Sequence, residues 1–228
     1  MLADFYGTLA RAVSWGDTHE AVFARHGLAY DEDAWTDRWV GGALDGEEHL
    51  EHSRDRARYQ SWEHERLRSR ATAVGVDAAL VDPLVVDLYR ASKDYTLAAY
   101  DEVAGVLGIL RSRGLVVAVC SNWDWDLDEA VASVALDGLV DVVVTSARAG
   151  ARKPHRRIFD LTLARCRLRP QECLFVGDTW EPDVVGPLAA GMRAVHLCRP
   201  DRMDGTEPPP LPPGSWRIGD LEGLLPLL

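Results

Sequence analysis

The sequence predicts an α/β fold, a buried parallel sheet flanked by helices, with a smaller α-helical domain attached, and three observations carry that prediction. Beyond about residue 97, short β-branched runs alternate with helical segments at the spacing of crossover connections. Before it, apolar residues recur at helical spacing. The length, 228 residues with 47% hydrophobic content, suffices for one core domain and a smaller companion.

Taken in order, Met1, Leu2 and Ala3 read as a first strand ending at Asp4. Three residues span only about 10 Å at about 3.3 Å each, so that strand is expected to be short. Ala21, Val22 and Phe23 precede Trp35, Trp39 and Val40, and the charged stretch Glu47–Arg70 carries large hydrophobics only at Leu50, Tyr59, Trp62 and Leu67. These segments read as amphipathic helices, with Gly41, Gly42, Gly46 and Gly75 marking loops. Asp77 suits the N-cap of a helix running through Leu88, in tension with Pro83 unless the helix starts at that proline.

The second region reads as strand Leu115–Cys120, helix Leu127–Val134, strand Val140–Thr145 and helix Ile158–Cys166. Strand Cys173–Val176, helix Val184–Ala190 and strand Ala194–Cys198 follow. Asp204–Gly214 is proline-rich and predicts an irregular loop; Trp216–Ile218 forms a last short strand, and Asp220 starts a closing helix.

A net charge of -11 with a pI of about 5.0 opposes binding to nucleic-acid phosphates or anionic membrane surfaces. Cys120, Cys166, Cys173 and Cys198 form no CxxC pair and mostly lie in or beside apolar segments, as reduced core thiols do. Neither a signal-like leader nor a run of eighteen apolar residues occurs, which makes the cytoplasm the expected compartment. His19, His26, His49, His52 and His64 lack the paired spacing of a zinc site and are expected on helix surfaces.

Four motifs carry chemistry. Asp4-Phe5-Tyr6-Gly7-Thr8-Leu9 places a carboxylate after a strand, followed by a glycine loop whose amides can face an anion. Val116–Ser121 is a strand ending in a hydroxyl, with Asn122 next to it. Gly150-Ala151-Arg152-Lys153-Pro154 precedes the helix bearing Ile158 and Phe159, and Leu174–Gly177 leads into the acidic loop Asp178-Thr179-Trp180-Glu181-Pro182-Asp183. Ligands of open parallel sheets bind outside the strands' carboxyl ends, where all four motifs would meet. Trp123, Trp125 and Trp180 follow motif strands and suit either a pocket lining or interior packing.

In order and spacing these motifs resemble those of the haloacid dehalogenase superfamily of aspartate-nucleophile hydrolases. The resemblance runs from Asp4 to roughly Leu228 and includes Gly186, Ala190, Gly191 and Met192 after the acidic loop. It implies a Rossmann-like core, residues 1–12 and 93–228, with a helical cap inserted at 13–92 that closes over the site and selects substrate. It further implies that Asp4 is the nucleophile, forming an aspartyl-phosphate that water cleaves. Thr8, Ser121, Asn122 and Lys153 would bind the phosphate, with Lys153 neutralising developing charge. The same resemblance places Mg2+ on the Asp4 carboxylate, the Tyr6 main-chain carbonyl and Asp178, with Asp183 supporting the site.

Tyr6 departs from the phosphatase pattern, in which a second Asp two residues after the nucleophile serves as general acid and base. A tyrosine there resembles the 2-haloacid dehalogenase branch, and a phenol with a reference pKa near about 10 is a poor base at neutral pH. Gly177-Asp178 is of the metal-binding type, which that branch lacks. The expectation is therefore a magnesium-dependent phosphohydrolase for a small phosphorylated metabolite. The alternatives are a haloacid dehalogenase-like hydrolase or a catalytically weak binding or regulatory protein.

Overall fold

The structure, a computed structural model, describes residues 1–37, 46–202 and 207–228. Trp39, Val40, Gly41 and Gly42, and Asp204 of the proline-rich loop, lie outside the described residues. In chain order the elements are β1 (Leu2–Ala3), β2 (Ala10–Trp15), α1 (His19–Arg25), α2 (Glu32–Asp37), α3 (Arg56–Ala73), α4 (Ala78–Ala91), β3 (Tyr95–Ala99) and α5 (Val103–Ser112). They continue as β4 (Ala118–Ser121), α6 (Leu127–Ser133), β5 (Val142–Thr145), α7 (Ser146–Ala149), α8 (Arg156–Cys166), β6 (Leu174–Gly177), α9 (Gly186–Ala189), β7 (Arg193–Leu197) and β8 (Ser215–Ile218).

Six strands form a sheet in the order β5-β4-β1-β6-β7-β8, and the neighbouring pairs run parallel. This is a Rossmann-like doubly wound order: the chain fills one side of β1 with β4 and β5, then returns to fill the other. The order reverses between β1 and β6, and the ligand crevice of such sheets lies outside the carboxyl ends of the strands at that reversal. Strands β2 and β3 make a separate pair.

The chain divides into two compact units, one comprising Met1–Arg11, Ala43–Ser53 and Leu97–Leu228, the other Ala12–Gly42 and Arg54–Thr96. In the first, Leu2 lies between Ala118 and Phe175, and Ala3 between Val119 and Val176. All six are buried, because a parallel sheet covered on both faces needs near-continuous apolar strands. Leu2, Ala118, Cys120, Val144 and Phe175 pack with Ile158, Phe159 and Leu163 of α8, and Phe159 meets Phe175 edge to face at 5.6 Å between centroids. The four cysteines are free thiols, and burial pushes Cys120 up to about 12, consistent with a neutral packing role.

In the second unit Val22, Phe23, Trp35, Ala71, Val81, Leu84, Val85 and Leu88 form one core. Each of α1, α3 and α4 starts at a side chain that accepts from the first turn: Thr18, Asp55 and Asp77. Helix α4 therefore begins at Ala78, five residues before Pro83, which the helix retains inside its second turn. There the missing donor is a single early one, and the Asp77 carboxylate accepts from Ala79 N at 2.8 Å.

Several sequence expectations shift. The charged stretch Glu47–Arg70 is helical only from Arg56, and its first part pairs instead with the segment ahead of Lys153. His49 N donates to Gly150 O at 2.7 Å, Arg152 N to Glu47 O at 3.2 Å and Gly46 N to Arg152 O at 3.2 Å. His49 is consequently buried, its Nδ1 2.9 Å from Ser53 Oγ, rather than on a helix surface. The expected helix Val184–Ala190 is a wide π-helical turn, Glu181–Val185, leading into α9, and Pro187 falls at the junction, where it lacks the amide a continuous α-helix would use. The closing helix reduces to a single 3-10 turn, Leu221–Leu224, capped by Asp220.

Phe175→Ala is expected to cost about 3–5 kcal/mol, since a fully buried aromatic in the sheet would leave a cavity against α8. Urea unfolding measures this; a loss below about 1 kcal/mol would show that the packing at Phe175 does not hold the sheet.

Candidate active site

Strand β1 ends at Ala3, and Asp4 N donates to Val176 O at 2.9 Å, so the first loop leaves the sheet beside β6. Leu9 N and Ala10 N then both donate to Phe5 O, at 2.8 and 3.0 Å, folding Asp4–Leu9 into a tight turn. Gly7 has φ +85, and a Cβ there would lie 2.2 Å from Asp178 Oδ2. Only glycine satisfies both the backbone and the approach of the acidic loop. Gly177 meets only the second demand, within the acidic loop itself, where a Cβ would fall 2.3 Å from Asp183 Cγ.

The close approach brings the acidic groups together. Asp4, Asp178 and Asp183 each offer an oxygen, all within 4.8 Å of one another. Thr8 Oγ1 donates to Asp178 Oδ1 at 3.1 Å, and Thr179 N donates to Asp183 Oδ2 at 3.0 Å. Lys153 is buried, with Nζ donating at 2.6 Å to both Asp4 Oδ1 and Asp183 Oδ1. Its backbone is fixed by Asn122: Lys153 N donates to Asn122 Oδ1 at 2.7 Å, and Asn122 Nδ2 donates to Lys153 O at 3.0 Å. Ser121, at the carboxyl end of β4, is buried at 2% exposure.

Tyr6 is half-buried, its ring tilted against Trp123 at 6.5 Å between centroids, and Trp123 also meets Phe5 edge to face at 5.5 Å. Trp180 packs on His196 at 5.2 Å. Asp4, Lys153, Asp178, Asp183 and Thr8 are thus linked by direct hydrogen bonds or shared reach, while Asn122 contacts the Lys153 main chain and Tyr6 lies toward the rim.

The charges explain the chemistry. Burial works against the Lys153 ammonium, yet the Asp183 and Asp4 carboxylates outweigh it and hold the group above the usual lysine range. Burial raises Asp183, with Asp4 adding to the shift and Lys153 opposing it, and burial followed by Asp4 raises Asp178. Asp4 and Asp183 share the buried ammonium and Asp178 lies beside a partly exposed arginine, Arg202, so the cluster holds one more acid than it has cations. Hard oxygen donors with that excess fit a magnesium ion.

Two arginines join the site with no motif to announce them. Arg202 Nη2 lies 3.3 Å from Asp178 Oδ2, with Cζ 5.1 Å from the centre of the Tyr6 ring. Arg199 Nη2 donates to Thr8 O at 2.8 Å and to Glu102 Oε1 at 2.7 Å. The signal available in the sequence is positional: both directly follow the carboxyl end of β7, at the edge of the crevice.

This fold and this acidic centre define a Rossmann-like α/β protein with a carboxylate cluster at the carboxyl end of its central strand. The chain belongs to the haloacid dehalogenase-like hydrolase family, whose profile matches residues 1–191. It is similar to haloacid dehalogenase-like hydrolase domain-containing protein 3 of Bos taurus, 32% identical over 67% of this chain and 61% of the relative. It is also similar to phosphoserine phosphatase of Thermus thermophilus, 34% identical over 58% of this chain and 51% of that protein. A glyceraldehyde 3-phosphate phosphatase of Methanothermobacter thermautotrophicus is 30% identical over 54% and 55%. The chain thus spans roughly half to two thirds of the curated relatives it matches. Among solved structures, a HAD phosphatase from Thermococcus onnurineus shares the fold at a TM-score of 0.64 and 20% identity, covering 99% of this chain and 95% of that one.

The raised carboxyls set a pH signature for the metal-free protein. Asp178 and Asp183 take up protons in the folded state at pH values where the unfolded chain has lost them, so their contribution to stability falls as pH rises from about 4 toward neutrality. Tm without metal should decline between about pH 5 and about pH 8, and the Tm gain on adding Mg2+ should grow over the same interval. Scanning fluorimetry with and without Mg2+ tests this; a gain independent of pH would exclude Mg2+ binding at these carboxylates.

Proposed function

We propose that the chain is a magnesium-dependent phosphohydrolase acting on a small phosphorylated metabolite. The observation that carries this reading is the meeting of Asp4, Asp178 and Asp183 within one another's reach, two of them bonded to the buried Lys153 ammonium. The phosphatase names among the relatives support the same class. Magnesium held by Asp4, Asp178, Asp183 and the Tyr6 carbonyl would screen the repulsion between an attacking carboxylate and a phosphate.

Asp4 attacks phosphorus and carries the phosphoryl group as an aspartyl-phosphate, which water then opens. Lys153 orients Asp4 and stabilises charge as it spreads over the phosphoryl oxygens, with the Ser121 hydroxyl donating to one of them. Thr8 fixes Asp178, and Asn122 holds Lys153 in register beside the phosphate. Tyr6 stands where a general acid and base belongs; its phenol can donate a proton to the leaving oxygen but takes one from water poorly. Turnover is slow for that reason. The second unit, Ala12–Gly42 and Arg54–Thr96, acts as the inserted cap that selects the substrate, whereas Ala43–Ser53, within the expected 13–92, belongs with the sheet; the partner is a small cytoplasmic metabolite rather than nucleic acid or membrane, in keeping with the charge of -11. Among the described residues no helix is long and apolar enough to cross a membrane.

Tyr6 favours a second reading, halide displacement from a 2-haloacid, in which no metal is needed. Phosphate release from sugar, nucleotide and acyl phosphates with Mg2+ decides between the two. Under the phosphohydrolase reading Asp4→Asn lowers release at least about 10³-fold, and activity surviving that change removes Asp4 as nucleophile. Halide release in the presence of chelator would establish the second reading instead.

Supplying the missing acid is a separate test. Tyr6→Asp should raise kcat by about 10²- to 10⁴-fold, the usual worth of a positioned acid or base, and a fall would show that the tyrosine has a task of its own.

A further inference from the structure

The turn after β7 carries a cation to the site for which the proposed chemistry has no use. Its base is rigid. Arg199 is 5% exposed, bonded to Thr8 O and Glu102 Oε1, with its guanidinium 3.5 Å over the Tyr100 ring. Glu102 Oε1 also accepts from Leu221 N at 3.3 Å, and Arg202 N donates to Arg199 O at 3.0 Å. The turn is therefore tied to the same loop that holds Asp4, and Arg202 leaves it from a fixed point.

Arg202 differs from its neighbour. Its side chain is 35% exposed and open to a solute, yet it lies 3.3 Å from Asp178 and over the Tyr6 ring. Its guanidinium balances a carboxylate whose charge a divalent ion would take over; like charge would then weaken the Arg202–Asp178 pair. What is left is a guanidinium steadied by the Tyr100 and Tyr6 side chains, whose remaining donors at the rim match a carboxylate or phosphate, with the transferring phosphoryl already served by Lys153, Ser121 and the first loop.

We propose that Arg202 is a specificity-determining residue that binds a second anionic group of the substrate, so that the preferred substrates are phosphate monoesters carrying a carboxylate or another phosphate. This rests on the phosphohydrolase reading. A neutral alcohol phosphate lacks the group that the fork receives and is the poorer substrate.

The test compares three two-carbon phosphate esters that end in a carboxylate, a second phosphate or a hydroxyl. Arg202→Gln should lower kcat/KM for each doubly anionic ester, relative to the hydroxyl ester, by about 10- to 100-fold, mainly through KM. Arg202→Lys should lose less, and the drop in each ratio shows whether carboxylate or phosphate is the preferred group. Because the readout is a ratio, it does not depend on how much of the variant folds. A ratio unchanged for both, whether all three esters suffer alike or none does, overturns the proposal. Calorimetric titration with the non-cleavable phosphonate isosteres reads the same preference without turnover. If the wild type releases no phosphate while the isosteres still separate by charge through Arg202, the phosphohydrolase reading fails and the anion site stands; isosteres that bind alike overturn the site itself.

Discussion

The buried ammonium of Lys153, bonded at 2.6 Å to Asp4 and to Asp183, is the interaction on which the site depends. The three groups arrive from the carboxyl end of β1, from the segment ahead of α8 and from the turn after β6, far apart in sequence. Removing the lysine would strand carboxylates away from water, and removing one acid would shift the burden onto the rest, which is why breaking such a buried set costs far more than its net contribution to stability suggests. The imbalance is built in: Lys153 serves Asp4 and Asp183 while only the partly exposed Arg202 lies against Asp178, and the remaining negative charge gives the site room for a cation.

Backbone constraints follow from that crowding. Asp178 occupies the space where a side chain at position 7 would sit, and Asp183 the corresponding space at position 177. The two glycines let two acidic loops interlock at the reversal of strand order. Around this centre lies a ring of neutral donors and acceptors that fix position and add no charge: Thr8 on Asp178, Asn122 on the Lys153 backbone, Thr179 N on Asp183. The strand-like pairing of residues 46–49 with 150–152 braces the segment that delivers Lys153. Preorganisation of this kind limits the reorganisation that charge development would otherwise require.

Much of this was legible in the sequence because the chemistry sits where apolar runs stop. Asp4, Ser121 and Asp178 lie where short apolar runs end, Met1–Ala3, Val116–Cys120 and Leu174–Gly177, and a doubly wound sheet brings such ends together. What the pattern hid is equally physical. Charge at helical spacing made residues 47–55 look like helix, but His49 and its neighbours use their backbone on Gly150 and Arg152, an interaction that periodicity does not report. The Asp77 cap was legible, and the tension with Pro83 resolves in its favour because the cap and the burial of Val81, Leu84 and Val85 outweigh one lost amide. Arg199 and Arg202 passed unmarked because an arginine in a loop is ordinarily solvated, and only a fold reveals that this loop meets the crevice.

Tyr6 and Arg202 are best understood as a pair. An aspartate at position 6 would add one more negative charge to a centre already rich in acid, and its short side chain would offer Arg202 no ring face. A tyrosine adds no charge at neutral pH, and its face accepts the guanidinium. Under the proposed chemistry, the tyrosine that would be a poor general base also supplies the platform on which Arg202 rests beside Asp178. On the proposed reading, selectivity for doubly anionic esters and slow hydrolysis would share a cause: the residue that steadies the proposed anion-binding arginine is also a poor base.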